Sequence, residues 1–131
     1  MRVYYEDTDV GGIVYYANYL KFMERARTEW LRAWGFEQDL LMHEQQVMFA
    51  VRAVSVEYLR PARFNQLLEV TVEPVALRRA SLDVAHRIMR HESGDNETLV
   101  TGRIKLACLN TGSLKPAPIP EAMLGKFTHE R

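Results

Sequence analysis

Several things are scarce in this chain, and each scarcity narrows its function. There is one cysteine, Cys108, among 131 residues. No intrachain disulfide is therefore possible, and a reducing compartment is expected. No excess of either charge sign exists, with seventeen Lys and Arg against seventeen Asp and Glu. That balance gives no footprint for nucleic acid. No apolar run approaches the roughly 20 residues that cross a bilayer, and charges arrive within MRVYYEDTD, where an exported chain carries an apolar leader. The expectation is a cytoplasmic protein, with at most peripheral contact at the inner membrane. No GxGxxG, phosphate-loop lysine motif or GxSxG elbow occurs, which disfavours the usual dinucleotide, P-loop and α/β-hydrolase chemistries. The four histidines are dispersed, and His86 and His91 lack a neighbouring cysteine or acidic ligand framework, so no metal site is expected.

What is present reads as one globular domain over residues 1–131, since 47% of the residues are apolar and 26% charged. Val3 and Tyr5 alternate with Arg2, Tyr4 and Glu6, predicting a first strand. From Asn18 to Trp34 the period changes: Tyr19, Phe22, Met23, Ala26, Trp30 and Ala33 recur at helical spacing, with Asn18 placed to cap the start, or an earlier helical turn from Val14, and Gly35 at the end. A short helix is expected around Gln38 to His43. The period then drops to two. Met48–Tyr58 carries Val54, Val56 and Tyr58 on one side, and Leu68, Val70 and Val72 alternate with Glu69, Thr71 and Glu73. Leu82, Val84 and Ile88 share a parity that His86 interrupts, and Val100, Ile104, Leu106 and Cys108 oppose Thr101, Arg103 and Lys105. ESGDNE marks the turn between the last two strands, while KPAPIP cannot be a central strand. A terminal helix is expected from Pro120 to Phe127. The fold class is α+β: one long helix wrapped by a five-stranded antiparallel sheet.

Chemistry concentrates in YYEDTDVGGIVYYANYLKFMERARTEW. Three carboxylates, Glu6, Asp7 and Asp9, stand beside paired glycines and ahead of the helix. A carboxylate near a carbonyl can attack it or take a proton from water. The amides of Gly11, Gly12, Ile13 and Val14, at the approach to the helix, are the candidates to stabilise an oxyanion. An Asp–Gly loop before a helix is also a common way to turn a chain, so the residues alone leave a structural reading open beside the catalytic one.

This segment, together with VEYLRPARFNQLLEV, resembles the hotdog-fold thioesterases of the 4-hydroxybenzoyl-CoA thioesterase type, in particular the branch associated with the Tol–Pal system. The resemblance implies hydrolysis of acyl-CoA to a carboxylic acid and free CoA, with CoA as part of the substrate and no separate cofactor. It implies a homo-oligomer, dimer or tetramer, with composite active sites, and an acyl-carrier protein as a partner of the branch. The D-x-x-G catalytic aspartate falls on Asp9, as nucleophile or as base, with Asp7 supporting the loop. Tyr16 stands where the Tol–Pal branch often has histidine; it would orient substrate, since its high pKa makes it a poor base, or simply pack at the helix start. Tyr5 matches a tyrosine of the branch’s active site, or else is an inward-facing core residue. Arg78 and Arg79 match a contact for the phosphates of CoA, with Ala80 replacing one of its basic residues, and Arg60 and Arg63 offer a second basic patch. The competing reading is an acyl-carrier or envelope-complex adaptor with incidental hydrolysis.

Overall fold

The computed structural model describes every residue except Val10, Ser93, Gly94 and Arg131. After a 3-10 turn at Tyr5–Asp7 come helix α1 (Asn18–Ala33) and a short helix α2 (Gln38–Leu40) that runs into a π-helical turn, Leu41–Gln45. Strands β1 (Val47–Tyr58), β2 (Leu68–Leu77), β3 (Ser81–Glu92) and β4 (Asp95–Asn110) follow, then helix α3 (Glu121–Glu130). The strands form one antiparallel sheet in the order β1-β4-β3-β2. The ESGDNE turn falls partly outside the described residues.

The expected fifth strand is not among the named strands. Arg2 makes a lone antiparallel bridge to Leu67, supported by Val3 N–H donating to the Gln66 carbonyl at 2.9 Å. The pairing stops there because the Asp7 carboxylate accepts the Tyr4 amide at 3.0 Å and pulls the chain into the 3-10 turn. A side-chain acceptor three residues on competes with the sheet ladder for that donor.

Helix α1 lies across the inner face of the sheet, but its buried stripe is turned from the expected one. Tyr19, Phe22, Met23, Arg27 and Leu31 are buried, Ala26 and Trp30 are half-buried, and Ala33 is exposed. The i, i+4 row therefore runs through a charged residue. Ala17 rather than Asn18 is the N-cap; the Asn18 side chain instead donates to the Asp7 carbonyl at 2.9 Å, tying the helix to the preceding loop. At the other end Gly35 takes φ +89°, which permits the Phe36 amide to reach back to the Leu31 carbonyl at 2.9 Å.

Register places Leu82, Val84, His86 and Ile88 of β3 beside Val100, Gly102, Ile104 and Leu106 of β4 on the helix side. Gly102 is a close-approach position: a Cβ there would sit 2.8 Å from the Met23 terminal carbon. β1 continues this inner row, with Val51, Val54, Val56 and Tyr58 opposite Leu106, Ile104, Gly102 and Val100. A bulge between Val51 and Ala53 keeps Val51 and Val54 on one side. Yet Val51 is 51% exposed, Val54 46% and Tyr58 46%. Helix α1 packs towards β2 and leaves the inner row of β1 largely uncovered.

Candidate active site

The two aspartates of DTD have opposite surroundings. Asp7 is buried; one carboxylate oxygen accepts the Tyr4 amide, and its carbonyl accepts the Tyr15 amide at 3.1 Å and the Asn18 side chain. It joins the first residues to the helix entry. Asp9 is exposed, and its Oδ1 accepts the Gly11 amide at 3.0 Å. Its backbone is pinned on both sides: Asp9 N–H donates to the Ile13 carbonyl and Gly12 N–H to the Asp9 carbonyl, each at 3.0 Å. The main chain of Asp9 is thus held on both sides, and its carboxylate stays exposed. Of the paired glycines, Gly12 is the one whose backbone demands glycine, with φ +75°; a Cβ on Gly11 would meet the Asp9 carboxylate at an ordinary 3.6 Å.

The oxyanion donors named from the sequence are largely spent inside the loop. Gly11 donates to Asp9 Oδ1, Gly12 to the Asp9 carbonyl, and Val14 to the Ala62 carbonyl at 2.8 Å. Ile13 accepts from Asp9 through its carbonyl, while its own amide finds no acceptor among the described residues. At the helix entry Asn18 donates to the Tyr15 carbonyl and Tyr19 to the Tyr16 carbonyl. The amides of Tyr16 and Ala17 find no acceptor among the described residues. The signal was present in the sequence, because a helix leaves its first amides unpaired, but its true start had to be known to number them.

Tyr16 is 60% exposed, and its ring meets Tyr58 edge-on at 6.1 Å; Tyr58 in turn lies 5.7 Å from Tyr19. These three rings, with Ile13, Val14, Leu59, Arg60 and Pro61, line a cavity of about 230 Å³. Tyr5 is not an inward-facing strand residue. It stands in the 3-10 turn, 80% exposed, with its ring edge-on to Phe64 at 6.0 Å.

Arg78 and Arg79 sit in the β2–β3 turn, beyond the far end of β2 from the Leu67–Leu68 edge where the N-terminal residues pair. Nine strand steps at about 3.3 Å separate the two ends of β2 by roughly 30 Å. The pair is not neighbour to its own chain’s Asp9; the basic residue the fold brings to the aromatic cavity is Arg60. Nor are the two arginines equivalent. Arg78 donates to Asp83 Oδ1 at 3.0 Å, and Arg103 to Asp83 Oδ2 at 3.1 Å. Burial of Asp83 pushes its carboxyl up, but the hydrogen bonds and charges of Arg78 and Arg103 outweigh this and hold it below the usual range. Among the described residues, the Arg79 carbonyl accepts the Ile119 amide and the exposed Arg79 side chain has no ion-pair partner.

One polar pair went unread in the sequence. Arg27 Nη1 meets His86 Nε2 at 3.0 Å in the core, with Arg27 8% and His86 3% exposed. Arginine can only donate, so Nε2 accepts and the proton lies on Nδ1, which donates to the Thr71 carbonyl at 2.9 Å. Burial drives the His86 pKa down to about 4, the Thr71 hydrogen bond opposes this, and Arg27’s charge adds to it. His86 is therefore neutral at pH 7. Among the described residues, no group of three or more His, Cys, Asp or Glu is placed to hold a metal ion, and no helix is long and apolar enough to cross a membrane.

A long helix laid across an antiparallel sheet is the arrangement of the hotdog fold. Residues 3–127 match the model of the thioesterase-like superfamily, and the chain belongs to that family. It is 40% identical over 131 residues to the acyl-CoA thioesterase YbgC of Haemophilus influenzae, covering 98% of this chain and 92% of the relative. It is 42% identical over 127 residues to the acyl-CoA thioester hydrolase YbgC of Escherichia coli, covering 97% and 92%. Among solved structures, a probable thioesterase from Bartonella henselae superposes with a TM-score of 0.84 at 35% identity, covering 92% of this chain and 95% of that one.

Proposed function

We propose that this protein hydrolyses acyl-CoA thioesters, with Asp9 as the reacting carboxylate and the amides of Tyr16 and Ala17 as oxyanion donors. The observation that carries the reading is the pairing of an exposed carboxylate on a pinned loop with unspent amides at the helix start that follows it. The full-length similarity to relatives named for acyl-CoA hydrolysis supports it, and disfavours the adaptor reading.

The thioester carbonyl oxygen points at the Tyr16 and Ala17 amides. Asp9 either attacks the carbonyl carbon, giving a mixed anhydride that water then opens, or takes a proton from the water that attacks. In both cases the C–S bond breaks, the thiolate leaves as CoA and is protonated, and the carboxylic acid departs. Tyr16 borders the acyl group through its ring, Tyr5 flanks the loop at Phe64, and the pinned Gly11–Val14 main chain keeps Asp9 in place. Arg79, with Arg78 behind it, receives the phosphates of CoA bound at a neighbouring subunit, since its own chain’s Asp9 lies at the other end of the sheet.

That arrangement requires an oligomer, dimer or tetramer. The bare inner row of β1 supports one: an edge strand with half-exposed Val51, Val54 and Tyr58 is covered by a second copy. Membership of the Tol–Pal-associated branch and an acyl-carrier partner belong to the same proposal and rest on the likeness of the DTDVGG segment; a cytoplasmic location is proposed from the lone cysteine, Cys108. The test is release of free thiol from acyl-CoA. Asp9→Asn, which keeps size and hydrogen bonding but removes the anion, is expected to lower kcat by about 10²-fold or more; near-native turnover refutes the assignment.

A further inference from the structure

The aromatic cavity beside Tyr16 bears on the choice of acyl group, a question that rests on the hydrolase reading of the site. Its wall offers little to the amides of a pantetheine arm. The Val14 amide is spent on the Ala62 carbonyl, the Ala62 amide on the Tyr19 hydroxyl, and the Leu59 and Arg60 amides both on the Leu99 carbonyl. The Tyr16 amide is the proposed oxyanion donor at the reacting end, and the rest of the wall is mostly ring and aliphatic surface, which suits the acyl portion better than the polar arm. At about 230 Å³ it exceeds the roughly 150 Å³ that holds a benzene ring, and a sphere of that volume is about 8 Å across. With C–C bonds near 1.5 Å, an extended acyl chain of about four to six carbons crosses it.

Within this lining stands one cation, Arg60. Its backbone is fixed by Leu99 before it and by the Ala62 contacts after it. Its side chain is 68% exposed, and its ion pair with Glu97 is loose, at 3.8 Å. Glu97 is held more closely by Arg90, at 2.9 Å, so it is not left unmatched if Arg60 turns to another partner. The phosphates of CoA lie a whole pantetheine arm from the thioester, on the other side of the reacting carbon. An anion that reaches Arg60 across the cavity therefore belongs to the acyl end.

We propose that Arg60 is a specificity-determining residue that selects short acyl groups ending in a carboxylate, which its planar fork binds through two parallel hydrogen bonds. The apolar wall carries the methylenes and the guanidinium reads the end.

Glutaryl-CoA and valeryl-CoA test this directly, because they share a five-carbon chain and differ in the terminal group. Steady-state thiol release is measured for the native protein, Arg60→Ala and Arg60→Lys, together with a series of short, long and aromatic acyl-CoAs. A charge-assisted hydrogen bond is worth about 1.5–3 kcal/mol, or about 10- to 100-fold. The native protein is expected to favour glutaryl-CoA over valeryl-CoA by about 10-fold or more in kcat/KM. Arg60→Ala should bring the ratio of glutaryl-CoA to valeryl-CoA turnover close to 1, chiefly by slowing glutaryl-CoA, and Arg60→Lys should recover part of the preference. The proposal is overturned if the native protein turns over valeryl-CoA as well as glutaryl-CoA, if Arg60→Ala slows both equally, or if other acyl-CoAs react and neither five-carbon one does. Silence on every acyl-CoA would instead sink the hydrolase reading itself, together with this inference.

Discussion

Acidification should destabilise this protein through a single buried imidazole. His86 is 3% exposed, faces the Arg27 guanidinium through Nε2, and has a folded-state pKa of about 4 against 6.5 for a free histidine. The unfolded chain therefore takes up this proton at a higher pH than the folded one, and stability falls as pH drops from 6.5 towards 4. Linkage gives the size: about 2 kcal/mol is lost by pH 5 and about 3 kcal/mol by pH 4. Against a total of about 5–15 kcal/mol for a domain, that is a large fraction. Other groups titrate in the same window, so the native curve alone is not diagnostic. His86→Gln supplies the reference, since its amide oxygen still accepts from Arg27 and nothing at the position titrates. Urea unfolding of both proteins at matched protomer concentration, from pH 7.5 to 4.5, measures the difference. The native protein should lose about 2 kcal/mol more than His86→Gln between pH 7 and pH 5. Parallel curves would refute the argument and mean that the pair is open to water or relaxes on protonation.

Asp7→Asn should keep most turnover but lose about 1–2 kcal/mol of stability in a denaturant titration, because its carboxylate closes the N-terminal turn on the Tyr4 amide; loss of turnover at native stability would reverse the roles within DTD. Tyr16→Phe should slow thiol release less than Asp9→Asn, since the oxyanion donor proposed there is the main-chain amide and not the hydroxyl. Arg79→Ala should raise KM for acyl-CoA more than Arg78→Ala does, as Arg78 is committed to Asp83, and neither should affect a short thioester lacking the CoA phosphates. Val54→Asp, on the bare inner row of β1, should shift the protein towards monomer in sedimentation equilibrium and lower turnover in step; an unchanged oligomer would show that this face is not the interface.

Much of the architecture is legible because periodicity reports burial wherever one face of an element meets the core. The strands and the long helix appear close to their expected bounds, and the parity of Leu68, Val70 and Val72, or of Val100, Ile104 and Leu106, matches the inner face of the sheet. The pattern misleads where a polar group overrides it. Alternation predicts a strand at Val3–Tyr5, but the Asp7 carboxylate captures the Tyr4 amide and turns the chain. Helical spacing puts Ala33 on the buried stripe, whereas the stripe follows Arg27 and Leu31 because Arg27 finds an acceptor in His86. Periodicity scores a charged residue as surface, and a histidine in an apolar row as an interruption; two such exceptions that satisfy each other across the core leave no trace in either segment alone.

For the chemistry, residue types and local order suffice to single out DTDVGG and to place it ahead of a helix, since those are properties of neighbours in the chain; the assignment of reaction to Asp9 and support to Asp7 rests on the family resemblance, and their opposite surroundings appear only in the fold. Which amides remain free, which arginine reaches the aromatic cavity and which face stays bare depend on contacts between segments far apart in sequence. Val14 loses its amide to Ala62, Arg60 is carried to Tyr16 by the return of the chain after β1, and Arg78 and Arg79 are carried to the opposite end of the sheet by the length of β2. Hydrogen-bond donors are consumed by whichever acceptor folding brings within about 3 Å, and that outcome is a property of the assembled chain.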